Sequence, residues 1–262
     1  MSAPVIFDRK LYAARRLKAA LAGRESFLAR HAGENLAERL VALKQEFPRA
    51  LDLGWRAENL AWMAPVTGRW VRTFPVVGAT GTTVVADEES LPFAPHSFDL
   101  AVSVLALHAT NDLPGTLVQI RRVLAPGGLF LAAMFGGSTL AELRRAIAAG
   151  EAETTGGASP RVAPLTDVRD AGALLQRAGF AMPVADLDHI TVRYRSFATL
   201  VDDLRALGET NALAQRRRSM LSRRVLNASL AHYMEEDGDA AGRLRATFDI
   251  LYLTARAPAS NL

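Results

Sequence analysis

The sequence predicts an α/β protein with a doubly wound, mostly parallel sheet of seven strands. Short apolar runs alternate with segments of helical periodicity along most of the 262 residues. Residues 98–107 are almost continuously apolar, as expected of a central parallel strand that is covered on both faces. Because 50% of the residues are hydrophobic, a chain of this length can bury a full core.

The strands are predicted from apolar runs that end at turn-forming residues. Pro75 lies inside the second run, which indicates an edge strand or an irregular segment. The last two strands are predicted to form a terminal hairpin. The predicted strands cover residues 50–53, 71–77, 82–86, 98–107, 129–135, 184–194 and 245–255.

The helices are predicted from apolar residues that recur every three or four positions. Pro48 should stop the second helix, Asn111 or Asp112 should cap the fourth, and Thr166 should cap the sixth. The predicted helices cover residues 4–30, 34–47, 58–63, 113–124, 139–153, 167–178, 197–207 and 215–233.

The predicted elements divide into two parts. Residues 1–48 are expected to form an N-terminal helical cap, or lid, over the rest of the chain. Residues 49–262 are expected to form the main domain, with a helical insertion at about 196–242.

Composition limits the function classes. The chain has no cysteine, which excludes disulfides and thiolate catalysis. Its 31 basic and 27 acidic residues are spread along the sequence, whereas a nucleic-acid-binding protein should concentrate basic charge on one face. The sequence contains neither a long apolar run that would span a membrane nor a secretory signal, so a cytoplasmic location is expected.

The stretch 49–60 organises the main domain, because it reads as a buried strand that enters a helix through a tight turn. In doubly wound folds a ligand lies at the carboxyl ends of the strands, where glycines let the backbone approach it. Gly54 is the one glycine of this turn.

Four motifs follow one another along the chain. They are Leu51-Asp52-Leu53-Gly54, then 86–93 with the acidic corner Asp87-Glu88-Glu89 and Leu91-Pro92-Phe93, then Ser97-Phe98-Asp99-Leu100, and then Leu124-Ala125-Pro126-Gly127-Gly128. In this order they resemble the motifs of class I S-adenosylmethionine-dependent methyltransferases.

Further motifs are 6–9, His108 with 111–114, 133–144 around Met134-Phe135-Gly136-Gly137, and 207–211. They resemble those of a narrower group on that fold, which includes an arginine hydroxylase acting in respiratory complex I assembly. Carrier-protein methyltransferases of biotin synthesis are similar at a greater distance. The closer resemblance implies a protein substrate or assembly partner.

The resemblance implies an S-adenosylmethionine cofactor laid across the strand ends. Its methionine carboxylate would lie near Gly54, with Asp52 in support. An acid after the second strand would hold the ribose, and Asp87, followed by Glu88, would lie beside the adenine.

The sequence departs from this pattern twice. Where the family has Gly-x-Gly-x-Gly, this chain has Gly54, Arg56 and Glu58, with Trp55 between, and the long side chains should narrow the pocket. Residues 74–80 contain no acid for the ribose, although Thr80 could replace it weakly. We therefore predict that cofactor binding is weak or lost.

Candidate catalytic residues lie past the fourth strand. His108 and Asn111 face the expected substrate side, although a structural role for the histidine is an open alternative. Glu142 and Arg144 are predicted to be solvated. No metal site is expected, because strand alternation places His189 opposite its acidic neighbours in the sequence.

Two functions of different class follow. One is an enzyme that transfers a methyl group or hydroxylates a protein arginine. The other is a binding module on a methyltransferase fold that has lost its cofactor and acts in the assembly of a protein complex. We predict the second, with the first as the alternative.

The basic runs 216–218 and 223–224 could receive an acidic partner, although a solvated face also explains them.

Overall fold

A computed structural model describes residues 4–23, 26–54, 67–77 and 84–259. In this part of the chain seven strands form one sheet in the order β3-β2-β1-β4-β5-β7-β6. All neighbouring pairs from β3 to β5 are parallel, whereas β7 runs antiparallel to both β5 and β6. The predicted doubly wound, mostly parallel sheet is confirmed.

The strands have the following bounds. They are β1 Phe47–Leu53, β2 Thr67–Phe74, β3 Val84–Val85, β4 Phe98–Val104, β5 Leu124–Phe135, β6 Ala181–Tyr194 and β7 Leu244–Arg256. β2 ends directly before Pro75, which has no N–H to donate to a sheet ladder.

Seven α-helices are described, two before β1 and the others between β4 and β7. They are α1 Arg9–Leu21, α2 Phe27–Ala42, α3 Leu113–Val123, α4 Ala141–Thr155, α5 Val168–Arg177, α6 Phe197–Leu207 and α7 Arg223–Asp237. Among the described residues no helix is both long and apolar enough to cross a bilayer.

Both faces of the central strands β4 and β5 are buried, and successive residues of each strand point to opposite faces. On one face Leu129 and Leu131 of β5 join a core with α2, α4 and α6. On the other face Phe130 and Ala132 join a core with α3 and α5. This two-sided burial explains why the central strands are continuously apolar in sequence.

The N-terminal region differs from the prediction of one helix over 4–30. Asp8 caps α1, which ends at Leu21, and Ser26 caps a separate helix, α2. The predicted helix 34–47 ends early, because Phe47 already belongs to β1. The division at residue 48 stays a prediction, although the packing of α2 in the main core shows that this helix is not peripheral.

Other boundaries also shift. β4 ends at Val104, and a short 3-10 helix, Leu107–Ala109, follows it. Asp112, one of the two predicted caps, caps α3, whereas Asp167 rather than the predicted Thr166 caps α5. In both cases the carboxylate accepts a backbone N–H of the first turn.

The end of the chain holds two further corrections. The predicted helix 215–233 begins only at Arg223, behind the Ser222 cap, and continues to Asp237. β6 and β7 pair along most of their length, but α6 and α7 lie between them in sequence, so they are not a hairpin. The predicted helix 58–63 lies outside the described residues.

Candidate functional site

Gly54 closes the carboxyl end of β1 in a conformation that favours glycine. Its φ is +86°, and a Cβ placed there would lie 2.3 Å from the Cβ of Ala106 and 3.2 Å from an oxygen of Glu88. The backbone after β4 and the acidic corner after β3 thus converge on Gly54. The predicted departures at Trp55, Arg56 and Glu58, and Thr80, lie outside the described residues.

Arg16 of α1 reaches across these strand ends. Its Nη2 donates to the Gly54 carbonyl at 3.0 Å, and its Nη1 donates to the carbonyl of Leu105. The side chain is buried and forms an ion pair with Glu209 at 3.3 Å. Burial lowers the pKa of Arg16, but the nearby Tyr12 and Glu209 more than offset this, so its pKa is raised and the guanidinium stays charged.

Arg9, at the start of α1, binds the acidic corner. Its Nη2 donates to Asp87 at 3.0 Å and also to Glu88, while its Nη1 donates to the carbonyl of Ala109 at 3.0 Å. Burial raises the pKa of Glu88, whereas the positive charge of Arg9 opposes that rise. Asp87 also accepts the backbone N–H of Glu89 at 3.0 Å. The expected adenine acid is therefore part of an ion-pair cluster.

Asp52 is buried in β1, on the face of the sheet opposite to its neighbours Leu51 and Leu53. Its Oδ2 has no hydrogen-bond partner among the described residues. Burial raises its pKa to about 7, against the opposing charges of Arg72 and Arg16. A carboxyl group with this pKa can hold or release a proton near neutral pH.

His108 lies in the 3-10 helix after β4 and is buried, with its side chain 4% exposed. Its Nε2 is 3.0 Å from Glu209, which also accepts the Tyr12 hydroxyl at 2.7 Å. Burial raises the pKa of Glu209, but His108 and Arg16 lower it more strongly, so the net shift is downward and the carboxylate is ionised. The histidine Nδ1 has no hydrogen-bond partner within the described residues.

An apolar cavity of about 180 Å³ lies beside this pair. His108 and Glu209 form part of its wall together with aromatic and aliphatic side chains, which include Phe7, Phe135, Leu143, Val201 and Phe248. Because the Nε2 of His108 faces an ionised carboxylate, this nitrogen carries the proton. In the neutral ring Nδ1 is then an acceptor with no described partner.

Asn111 lies near this cavity but uses its side chain to hold the N-terminal segment. Its Oδ1 accepts the backbone N–H groups of Ile6 and Phe7 at 2.8 and 2.7 Å, and its Nδ2 donates to the carbonyl of Phe7 at 3.2 Å. Its own N–H donates to Glu89 at 2.5 Å. These bonds give Asn111 a positioning role for the segment that leads into α1.

The two helix charges that the sequence predicts to be solvated have different outcomes. Arg144 is exposed, as predicted. Glu142 is instead 4% exposed, and it accepts both the backbone N–H and the hydroxyl of Thr247. The prediction for Glu142 is therefore wrong, because β7 supplies partners for its carboxylate.

Strand alternation separates the polar residues of β6. His189 contacts Asp249, whereas Asp188 contacts His31 on the other side of the strand. In the described ranges no three acidic or histidine side chains are grouped so that they could hold a metal ion.

Sequence reasoning missed the most connected residues of the site. The sequence presents Tyr12 and Arg16 only as parts of an amphipathic helix, and Arg9 and Glu209 only as parts of resembling motifs. The one local signal is that Tyr12 and Arg16 lie on the same face of α1 as the buried Ala13 and Ala19. These residues come together because α1 lies across the carboxyl ends of the strands. No local sequence pattern predicts that packing.

Comparison with known proteins gives the chain its relatives. Residues 70–132 match the family model described as a methyltransferase domain. The chain is 37% identical over 243 residues to "Arginine-hydroxylase NDUFAF5, mitochondrial" of Danio rerio, an alignment that covers 88% of this chain and 75% of that protein. It is 31% identical over 250 residues to the malonyl-[acyl-carrier protein] O-methyltransferase of Gallionella capsiferriformans, which covers 87% and 83% of the two chains.

A solved structure shares the fold. The 1,6-didemethyltoxoflavin-N1-methyltransferase of Burkholderia thailandensis, crystallised with S-adenosylhomocysteine, has a TM-score of 0.53 at 15% identity and covers 98% of this chain and 93% of its own. The shared fold and the sequence identity to the curated relatives indicate the same family. The chain belongs to the methyltransferase-fold family that contains the NDUFAF5 arginine hydroxylases and the malonyl-[acyl-carrier protein] O-methyltransferases.

Proposed function

We propose that this protein is a methyltransferase-fold binding module whose S-adenosylmethionine site has become weak or lost, and that it acts on a protein partner during assembly of a protein complex. The single observation that carries the proposal is that α1 supplies two guanidinium groups to the strand ends where the family cofactor would lie.

Arg16 supports the proposal at β1 and β4. Its guanidinium donates hydrogen bonds to the carbonyls of Gly54 and Leu105, which lie directly after β1 and β4. A bound cofactor would have to displace a buried, charged side chain that also pairs with Glu209. Removing one partner from such a pair costs about 3–5 kcal/mol.

The acidic corner supports the proposal at β3. Asp87 and Glu88 both form an ion pair with Arg9, so each carboxylate has a partner in the absence of any ligand. In addition, β2 ends at Phe74, and residues 75–77 provide no acid for a ribose. These contacts do not fit a cofactor at the strand ends while α1 holds its position.

The test is titration of S-adenosylmethionine into the full chain by isothermal calorimetry. We expect no saturable binding at millimolar cofactor. A double variant, Arg56→Gly with Glu58→Gly, restores the family glycines. It separates two causes of weak cofactor binding, which are the replaced glycines and the contacts of α1 at the strand ends. If α1 is the main obstacle, this variant also fails to bind.

A micromolar dissociation constant for the unmodified protein would overturn the proposal. It would favour an active methyltransferase instead.

Capture of a specific protein partner by the purified full chain, with its loss after unfolding, tests the assembly role separately.

One observation favours a second candidate, a protein-arginine hydroxylase. NDUFAF5 relatives carry that name, and the substrate side of this chain keeps an ionised Glu209 beside an apolar cavity. The captured partner is incubated with dioxygen and a two-electron donor, so that one oxygen atom can enter a C–H bond and the other leave as water. A gain of one oxygen atom on an arginine side chain, measured by peptide mass spectrometry against the Glu209→Gln variant, would establish this activity. An unmodified partner would leave binding as the function.

A further inference from the structure

A second cavity, lined largely by arginine, adjoins the apolar one. We name it the arginine cleft; it has a volume of about 520 Å³ and is lined by Arg15, Arg161, Arg216, Arg217 and Arg218. Arg161, Thr210 and Asn211 line both this cleft and the apolar cavity. The two cavities therefore share a wall.

The arginine cleft carries more positive charge than the carboxylates near it can balance. Arg216 pairs with Asp8 at 3.2 Å, and Arg161 pairs with Glu151 at 2.6 Å. Arg15 donates to the backbone carbonyl of Asn211, which carries no net charge. Arg217 and Arg218 are exposed, and their charges act at longer range on the same two carboxylates, Glu151 and Asp8, so five arginines face two acidic groups.

Crowding of like charges is visible at Arg15. Burial lowers its pKa, and the neighbouring Arg216 lowers it further, while Asp8 offsets only part of this. An anion in the cleft would relieve this repulsion. Guanidinium groups bind phosphate and carboxylate through paired N–H donors, so these are the anions that the cleft favours.

The apolar cavity supplies an independent observation. Its walls are mainly aliphatic and aromatic, and its polar residues include Arg161, Thr210 and Asn211, which it shares with the arginine cleft. At about 180 Å³ it is smaller than the roughly 300 Å³ at which sites for drug-sized ligands begin. It therefore suits a single short chain or one ring.

We propose that the two cavities form one binding site for a small amphiphilic anion, with a phosphate or carboxylate headgroup in the arginine cleft and an apolar tail in the cavity beside His108. This site goes beyond the proposed function, because the arginine cleft has no part in the cofactor argument, although the apolar cavity shares Tyr12 and Glu209 with the Arg16 cluster. It stands whether or not S-adenosylmethionine binds.

The first experiment titrates octyl phosphate, octanoate, inorganic phosphate and octyl glucoside into the full chain by calorimetry. We expect saturable binding of octyl phosphate or octanoate, whichever headgroup the cleft prefers. Inorganic phosphate and the uncharged glucoside should bind at least tenfold more weakly. Within a series of alkyl phosphates, affinity should rise by roughly threefold to fourfold per methylene group until the cavity is full.

Three variants locate the site. Arg217→Gln with Arg218→Gln should weaken octyl phosphate binding by at least tenfold. The control, Arg195→Gln with Arg224→Gln, removes the same charge at exposed positions outside the cleft and should leave binding unchanged. Val201→Phe, a half-buried cavity position, should remove the dependence on tail length while inorganic phosphate binding is unaltered.

Three outcomes overturn the proposal. Equal binding of inorganic and octyl phosphate means that the cleft holds an adventitious ion only. Equal loss in the cleft and control variants means a non-specific charge effect. Tail-length dependence that survives Val201→Phe places the tail elsewhere. Circular dichroism of every variant separates each result from misfolding.

Discussion

Gly54 shows how closely the strand ends meet. Its φ is positive, and a Cβ placed there would lie only 2.3 Å from the Cβ of Ala106, so there is no room for a side chain, whichever ligand the site holds. At the level of single residues, this glycine is required for packing even where the other family glycines are replaced.

Gly54→Ala should lower the free energy of unfolding by about 3 kcal/mol or more, because a left-handed conformation costs about 1–2 kcal/mol and overpacking costs about 1–3 kcal/mol. Urea denaturation measures the effect. Gly127→Ala is the matched control, since Gly127 has φ +73° but nothing within 4 Å of its Cβ position. Its loss should be only about 1–2 kcal/mol. Equal losses of stability in the two variants would show that Ala106 moves aside at no energetic cost.

Among the helices and strands, α1 joins parts of the chain that are distant in sequence. Through Arg9, Tyr12 and Arg16 it contacts the ends of β1, β3 and β4 and the segment after α6. Its amphipathic pattern predicts a helix that covers the main domain. The pattern does not indicate that its charged residues face inward.

The pairing of α4 with α7 depends on close backbone approach at Gly150. A Cβ there would lie 2.5 Å from the backbone nitrogen and 2.8 Å from the Cα of Ser229. Gly150→Ala should therefore lower the free energy of unfolding by about 1–2 kcal/mol, since overpacking exceeds the gain of about 1 kcal/mol in helix propensity.

Gly172→Ala in α5 is the control for this prediction. Its nearest contact, the Cβ of Ala185 at 3.8 Å, is ordinary van der Waals distance. This variant should gain about 0.5–1 kcal/mol, because alanine favours the helix. Chemical denaturation of both variants decides the point, and a stabilised Gly150→Ala would contradict the close packing.

For the molecule as a whole, Asp52 should influence how stability depends on pH. Folding raises its pKa from 3.8 to about 7, so the folded protein holds the proton more tightly than the unfolded chain does. As pH rises from about 4 to about 7, the unfolded chain loses this proton first, and the contribution of Asp52 to stability falls by about 4 kcal/mol.

Asp52→Asn removes that titration. Relative to the unmodified protein, the variant should gain stability progressively between pH 4 and 7 and keep a constant advantage above that interval. Urea denaturation across a pH series measures this difference. A difference that does not change with pH would show that Asp52 stays ionised in the folded state.

The sequence predicts the sheet well. Buried parallel strands are continuously apolar, whereas the helices repeat their apolar residues every three or four positions. Helix ends are predicted less accurately: 215–233 begins at Arg223 in the structure, where Ser222 provides the cap. The prediction for Glu142 fails because its partner, Thr247, lies 105 positions away. Burial of a polar residue depends on such distant partners, and one sequence alone does not reveal them.

The amino-acid sequence was sufficient for the fold, the family resemblance, and the replacement of Gly-x-Gly-x-Gly by Gly54, Arg56 and Glu58. Those features are local, since each depends on residue types at fixed spacing. The positions of Arg9 and Arg16 on the strand ends, and the cleft that the run 216–218 forms with Arg15 and Arg161, emerged only from the folded structure. Charges far apart in sequence become neighbours only after α1 has docked on the sheet.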